Sequence, residues 1–221
     1  MKISIILAHP NPGSFNHAIA DTAAAELRLR GYDVCLHDLC AEQFNPLLPA
    51  AELAKDAPLG SVIRQHCHEI TEADGIIIVH PNWWGMPPAI LKGWIDRVLR
   101  MEVAYRFVAN DQGEGVPQGL LRARSAIVFN TANTPDDREQ ESFGDPLETL
   151  WKKCIFGLCG VQNVQRRTFS VIVTSTPEQR AQWLAEVRQI VGAHFQAAKK
   201  PQTSMAHHDQ PLHLAGTDFP R

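Results

Sequence analysis

Two adjacent tryptophans stand in Pro81-Asn82-Trp83-Trp84-Gly85-Met86-Pro87-Pro88, a stretch too aromatic and too rigid for a plain solvated connection. Its prolines restrict φ and remove backbone donors, so the remaining N–H groups of Asn82, Trp83, Trp84 and Gly85 are held in fixed directions beside wide apolar faces. That combination suits a flat heteroaromatic ligand; the other reading is a hydrophobic plug over the end of a sheet. Two further stretches offer polar partners. His9-Pro10-Asn11-Pro12-Gly13-Ser14-Phe15-Asn16 precedes a predicted helix, whose free N–H groups and positive dipole end bind phosphate. Neither the dinucleotide fingerprint GxGxxG nor the P-loop GxxxxGKS occurs there. A phosphate would be held by Ser14, Asn16, His9 and backbone N–H groups, without a lysine. His9 has a plainer reading as a neutral histidine bonding a loop carbonyl. Thr131-Ala132-Asn133-Thr134-Pro135 supplies hydroxyls, an amide and N–H groups for the rim of a ring system, or is a polar strand-to-helix turn.

These residues need a scaffold that brings three loops to one edge. Residues 2–8 (KISIILA) and the β-branched run Gly75-Ile76-Ile77-Ile78-Val79 read as strands, the second of them covered on both faces. Further strands are expected at about 34–37, 125–130 and 167–173, with residues 38–58 a loop holding at most a helical turn. Helices are expected to about Arg30, with Ser14 or Asn16 as cap, then over about 61–73, 89–100 and 146–158, and onward from Ser175-Thr176-Pro177. In the third, Ile90, Trp94 and Val98 form an apolar stripe opposite Lys92, Asp96 and Arg100. In the fourth, Leu147, Leu150, Trp151, Cys154 and Ile155 share one side. Residues 110–119 read as a Gly-rich acidic loop and 136–141 as a solvated charged face. Alternating strands and helices predict right-handed crossovers and an α/β fold with a five-stranded parallel sheet of order 2-1-3-4-5, helices on both faces. The crevice then lies between the first and third strands. There His9 to Asn16 meets Pro81 to Met86.

The 221 residues suffice for one domain, over about 1–196, with 197–221 as a tail that is disordered or packed on a partner subunit. A net charge of −3 gives no reason to expect nucleic acid or an anionic membrane as partner. No apolar run approaches the roughly 20 residues of a membrane span. Five scattered cysteines and no CxxC pair point to a reduced, cytoplasmic protein. Cys35, Cys40, His66, Cys67 and His68 are read as half-buried thiols and a polar helix face, not a zinc site.

Several blocks together resemble a known family. They are Ala8-His9-Pro10 with Ser14-Phe15-Asn16 and Ala18, Pro81 and Trp84 followed by Pro88-Ala89-Ile90-Leu91-Lys92-Gly93-Trp94, Glu102 with Ala104-Tyr105, and Gly144-Asp145 through Trp151 to Cys159-Gly160. Over about residues 1–195 the chain is similar to the flavodoxin-like NAD(P)H:quinone oxidoreductases of mammalian DT-diaphorase type and their bacterial relatives. The resemblance implies bound FAD or FMN, NAD(P)H as electron donor, a quinone-type acceptor, and a homodimer with its active sites at the subunit interface. It implies that His9, Ser14, Phe15 and Asn16 line the phosphate and ribityl chain. Pro81, Asn82, Trp83, Trp84 and Gly85 would run along the isoalloxazine, and Asn130, Thr131, Ala132 and Asn133 along its other edge. Trp84 would wall the site, and Tyr105 with Phe107 would reach substrate from the partner side. Extension of the match into the Gly144-to-Gly160 segment favours FAD. Mammalian members carry two glycines where this chain has Ala132 and Asn133, and beyond them a tyrosine and a histidine linked to charge relay; residues 136–143 hold neither. The expected reaction is two-electron transfer from NAD(P)H through the flavin to a flat acceptor. The alternative is a flavin-bearing ancillary subunit of a potassium-efflux system.

Overall fold

The central strand of the sheet is β3, Gly75–Pro81, every residue of which is buried. A run of β-branched residues covered on both faces is what the middle of a parallel sheet demands. The structure, a computed structural model, describes residues 1–109 and 113–195; the tail expected from residue 197 lies outside these. On one side of β3 runs β1, Lys2–Leu7, with β2, Asp33–Asp38, at the edge. On the other run β6, Ser125–Thr131, and β7, Asn163–Phe169. All pairings are parallel, so the order β2-β1-β3-β6-β7 is the expected 2-1-3-4-5 with a small hairpin inserted before β6.

Helices cover both faces. Against one pack α1, Phe15–Leu29, and α6, Pro177–His194, through Ile19, Ala23, Leu27, Trp183, Val187 and Val191. Against the other pack α2, Ser61–Glu72, α3, Ala89–Val98, and the segment from 146 to 157, with Trp94 and Trp151 at the centre. Each of these indoles is almost fully buried, and removing ~200 Å² of ring from water contributes up to about 5 kcal/mol. No helix among the described residues is long and apolar enough to cross a membrane.

Several local expectations are corrected. The expected Gly-rich loop holds a strand: β5, Gly115–Gly119, pairs antiparallel with β4, Tyr105–Ala109, while residues 110–112 of that loop lie outside the described residues. Its end is pinned where Gly119 meets the Gly160 backbone so closely that a Cβ would lie 2.2 Å from the Gly160 nitrogen. The fifth main strand begins at Asn163, not 167, because its register with Ser125–Thr131 starts there. The charged run is helical: α4, Asp136–Arg138, continues as a π turn, Glu139–Phe143. After α5, Pro146–Thr149, the helix widens to π geometry over Leu150–Gly157. That wider turn rotates Cys154 out to solvent and brings Phe156 inward beside Trp151 and Ile155. Ser14 occupies the N-cap position of α1 without a capping bond; its hydroxyl pairs with Nδ1 of His17 at 2.9 Å.

Candidate functional site

The C-terminal ends of β1, β3 and β6 open into one crevice of about 420 Å³. His9, Ser14, Phe15 and Asn16 line it from the β1 side, Pro81, Asn82 and Trp83 from β3, and Thr131, Ala132 and Asn133 from β6. Trp84 and Gly85 line a second hollow of about 380 Å³ that shares Asn82, Ala132 and Asn133 with the first. Ten predicted residues thus meet in one crevice, and two more flank it.

The aromatic segment is a tight turn rather than a plug. Trp83 N–H donates to the Met86 carbonyl at 3.1 Å, Met86 N–H returns the bond at 3.0 Å, and φ is +59° at Trp84 and +69° at Gly85. Two positive φ values in the middle of a four-residue turn are the type I′ pattern, which favours Asn and Gly. A tryptophan there carries a steric cost of about 1–2 kcal/mol, yet its side chain is 100% exposed and gains no packing within the chain. Strain without compensation marks a position kept for contact with something else. Gly85 leaves room for Pro146, whose Cγ would stand 2.6 Å from an added Cβ. Asn82 fastens the turn at both ends: its Oδ1 accepts from the Gly85 N–H at 2.9 Å and its Nδ2 donates to Glu139 at 2.9 Å.

Most backbone donors here are already used. Asn82 N–H donates to the Thr131 carbonyl and Ala132 N–H to the Phe169 carbonyl. The amides of Trp84, Asn133 and Thr134 have no internal acceptor among the described residues, and neither do those of Phe15 and Asn16 at the start of α1. Beside them the buried Oδ1 of Asn16 lacks a donor, while its Nδ2 is fixed on Thr131 Oγ1 at 2.9 Å. His9 Nδ1 accepts the Asn11 N–H at 3.1 Å, which puts a neutral ring's proton on Nε2. Burial holds this histidine below its usual pKa. It bonds a loop N–H, not the loop carbonyl of its plainer reading.

Sequence reasoning missed Arg180. This residue of α6 lines the crevice beside Phe15, its Cζ 5.9 Å from that ring's centroid, held by Nε on Ser175 Oγ at 2.8 Å and Nη2 on the Ile172 carbonyl at 3.0 Å. It supplies the cation that the β1 loop lacks. Nothing local announces it, because it arrives from the far end of the chain. Phe143 and Glu139, in the π turn, were missed as walls of the second hollow.

Two predicted residues fall elsewhere. Asn130 has no exposed surface and lies beneath the crevice, donating to His80 Nε2 at 2.9 Å and accepting from Arg166 at 3.1 Å. It braces the loops from below and does not line the crevice. Tyr105 lines a separate hollow with Ile95, Leu99 and Cys159, and within one chain it does not reach the crevice.

A parallel doubly wound sheet with its crevice at the topological switch point, entered by a helix N-terminus and walled by an aromatic turn, defines a flavodoxin-like protein. Comparison with known proteins agrees. A family profile described as a flavodoxin-like fold matches residues 1–213. An uncharacterized NAD(P)H oxidoreductase of Haemophilus influenzae is 37% identical over 179 residues, covering 78% of this chain and 85% of that one. NAD(P)H dehydrogenase [quinone] 1 of Cavia porcellus is 32% identical over 204 residues, covering 82% of this chain and 72% of that one. Among solved structures, an FMN-dependent NADH-azoreductase from Bacillus anthracis in complex with FMN superimposes with a TM-score of 0.70 at 16% identity, covering 87% of this chain and 98% of that one. The chain belongs to the flavodoxin-like NAD(P)H:quinone oxidoreductase family.

Proposed function

We propose that this protein is a flavin-dependent NAD(P)H oxidoreductase acting on quinones or similar flat acceptors. The observation that carries the reading is the crevice itself: unengaged amides and an unpartnered Asn16 Oδ1 stand at one end, and a strained aromatic turn at the other. A ribityl chain offers the hydroxyl donor that Asn16 lacks, and a phosphate suits the amides of Phe15 and Asn16 with Arg180 nearby. A bound flavin would supply two-electron hydride chemistry between NAD(P)H and a flat acceptor. The chain's part is position and electrostatics. Trp83 and Trp84 offer flat faces that orient stacked rings, and the Trp84, Asn133 and Thr134 amides are donors available to the ring edge.

FAD is the preferred flavin, on the Gly144-to-Gly160 match. A homodimer is the preferred assembly, since Trp84, Phe107 and Phe143 are left widely exposed on one chain. The potassium-efflux reading gains no support from the relatives above. The test is the absorbance spectrum of the purified protein before and after anaerobic NADH or NADPH. Yellow protein that bleaches in one two-electron step, and reoxidises with a quinone, supports the reading. Protein that neither binds added FMN or FAD nor consumes either nucleotide refutes it.

A further inference from the structure

Away from the crevice, a second cluster of chemically able side chains joins the edge strand to its covering helix. Cys35 and His37, two apart on β2, point to the same side of the strand. His66 and Glu69, three apart on α2, share a helix face. Cys35 Sγ lies 3.3 Å from His37 Nε2, and Nε2 lies 2.5 Å from Glu69 Oε2. The three ligand atoms all fall within 4.8 Å of one another. Behind them Glu42 Oε1 stands 2.9 Å from His37 Nδ1.

His37, Glu42 and His66 make an equally tight group by distance, but chemistry rejects it. Trp94 Nε1 donates to His66 Nδ1 at 3.2 Å, and an indole nitrogen only donates. The bare nitrogen of His66 is therefore taken. Its Nε2 carries the proton and cannot ligate.

We propose that Cys35 Sγ, His37 Nε2 and a Glu69 carboxylate oxygen bind one zinc-class divalent metal ion, with Glu42 orienting His37 from behind. Sulfur, imidazole and carboxylate together are a donor set of zinc. Ligand bonds of about 2.0–2.3 Å at tetrahedral angles place ligand atoms roughly 3.3–3.6 Å apart. Cys35 and His37 already stand at that spacing, and Glu69 need withdraw from His37 by less than about 1 Å. With the metal replacing any proton between Nε2 and Glu69, Glu42 holds the remaining N–H at Nδ1, the carboxylate–histidine–metal arrangement. A hollow of about 220 Å³ lined by Ser4, Cys35 and Glu69 adjoins the cluster, so water can occupy the fourth position. Binding releases the Cys35 thiol proton and any proton on His37 Nε2 to solvent. None of the three ligands lines the crevice, so the site stands or falls apart from the flavin reading.

The full-length protein, stripped with a chelator and dialysed against Zn(II), should retain one equivalent by elemental analysis. X-ray absorption at the zinc edge should show one sulfur among lighter neighbours. Cys35→Ser should lose at least tenfold in affinity and the sulfur signal, and Glu42→Gln about 10–100-fold in affinity. Cys40→Ser, Cys67→Ser and His66→Gln should retain the metal. In the unaltered protein, where folding is not in question, Zn(II) should slow alkylation of Cys35 as read by peptide mass spectrometry. No retained zinc, retention equal in Cys35→Ser, or Cys35 alkylation indifferent to Zn(II) overturns the proposal.

Discussion

Trp151 Nε1 donates a hydrogen bond of 2.9 Å to Nε2 of His80, a histidine with no exposed surface directly beneath the aromatic turn. The opposite ring nitrogen, Nδ1, holds the Pro81 carbonyl at 2.8 Å. One neutral imidazole thus couples the helix after residue 146 to the start of the crevice loop that follows β3. Trp151→Phe keeps most of the ring volume and removes the donor. The expected loss is about 1–2 kcal/mol, read from urea unfolding. A midpoint unchanged from wild type would show that Asn130 alone satisfies His80.

The same histidine sets a pH dependence. Burial pushes His80 down to about 4, while an unfolded histidine titrates near 6.5. Between those values the unfolded chain binds a proton that the folded chain refuses. Stability is therefore level above about pH 7 and falls as pH drops from 6.5 toward 4. The share of His80 by pH 5 is on the order of 2 kcal/mol. Urea midpoints at pH 7.5 and 5 measure the loss, and NMR of the His80 ring should find it neutral at pH 5. A ring that is already charged there contradicts the assignment.

Arg97 and Glu52 form a buried pair, with Nε to Oε2 at 3.0 Å, Nη2 to Oε1 at 2.5 Å, and Nη1 on the Asn45 carbonyl at 2.6 Å. They tie α3 to the long loop before α2. Glu52→Ala leaves the guanidinium buried without its counter-charge and should cost about 3–5 kcal/mol. Glu52→Leu combined with Arg97→Met should recover most of that. A double variant as unstable as the single one would mean that the pair does more than neutralise itself.

Trp84 separates stability from function. Fully exposed and at positive φ, it contributes no packing within the chain, so Trp84→Gly should leave stability unchanged or raise it by up to about 1 kcal/mol. Loss of a flat wall should still lower kcat/KM for a quinone at least tenfold. Thermal melts and steady-state kinetics on one preparation decide the matter; equal kinetics would remove Trp84 from the site.

Arg180 and Asn16 should govern flavin retention. Arg180→Ala removes the crevice cation and should weaken flavin binding roughly 10–100-fold, with a reduced dependence on salt. Asn16→Ala removes the waiting acceptor and should cost about tenfold. Flavin fluorescence quenching at two ionic strengths measures both. Affinity that is insensitive to Arg180→Ala would place the phosphate elsewhere.

Much of the architecture was written along the chain. Residues 76–79 declare a central strand because only a sheet covered on both sides accommodates four β-branched residues in a row, and the sheet order follows from alternating strands and helices. Three crevice loops at one edge follow from that order, since every parallel strand ends on the same side. The π widening after Thr149 and the start of β7 at Asn163 were not legible, because each depends on packing and register that a period of 3.6 or 2 does not encode.

By itself, the sequence determined the fold, the sheet order and most of the crevice lining, because local periodicity and turn chemistry are properties of neighbouring residues. Tertiary structure decided the rest. It turned Trp84 outward at positive φ, sank Asn130 beneath the crevice and brought Arg180 across from the last helix. It also set Cys35, His37 and Glu69 within reach of one another. Each of these is a distance between residues far apart in the chain, or a balance of strain against contacts that exist only after folding.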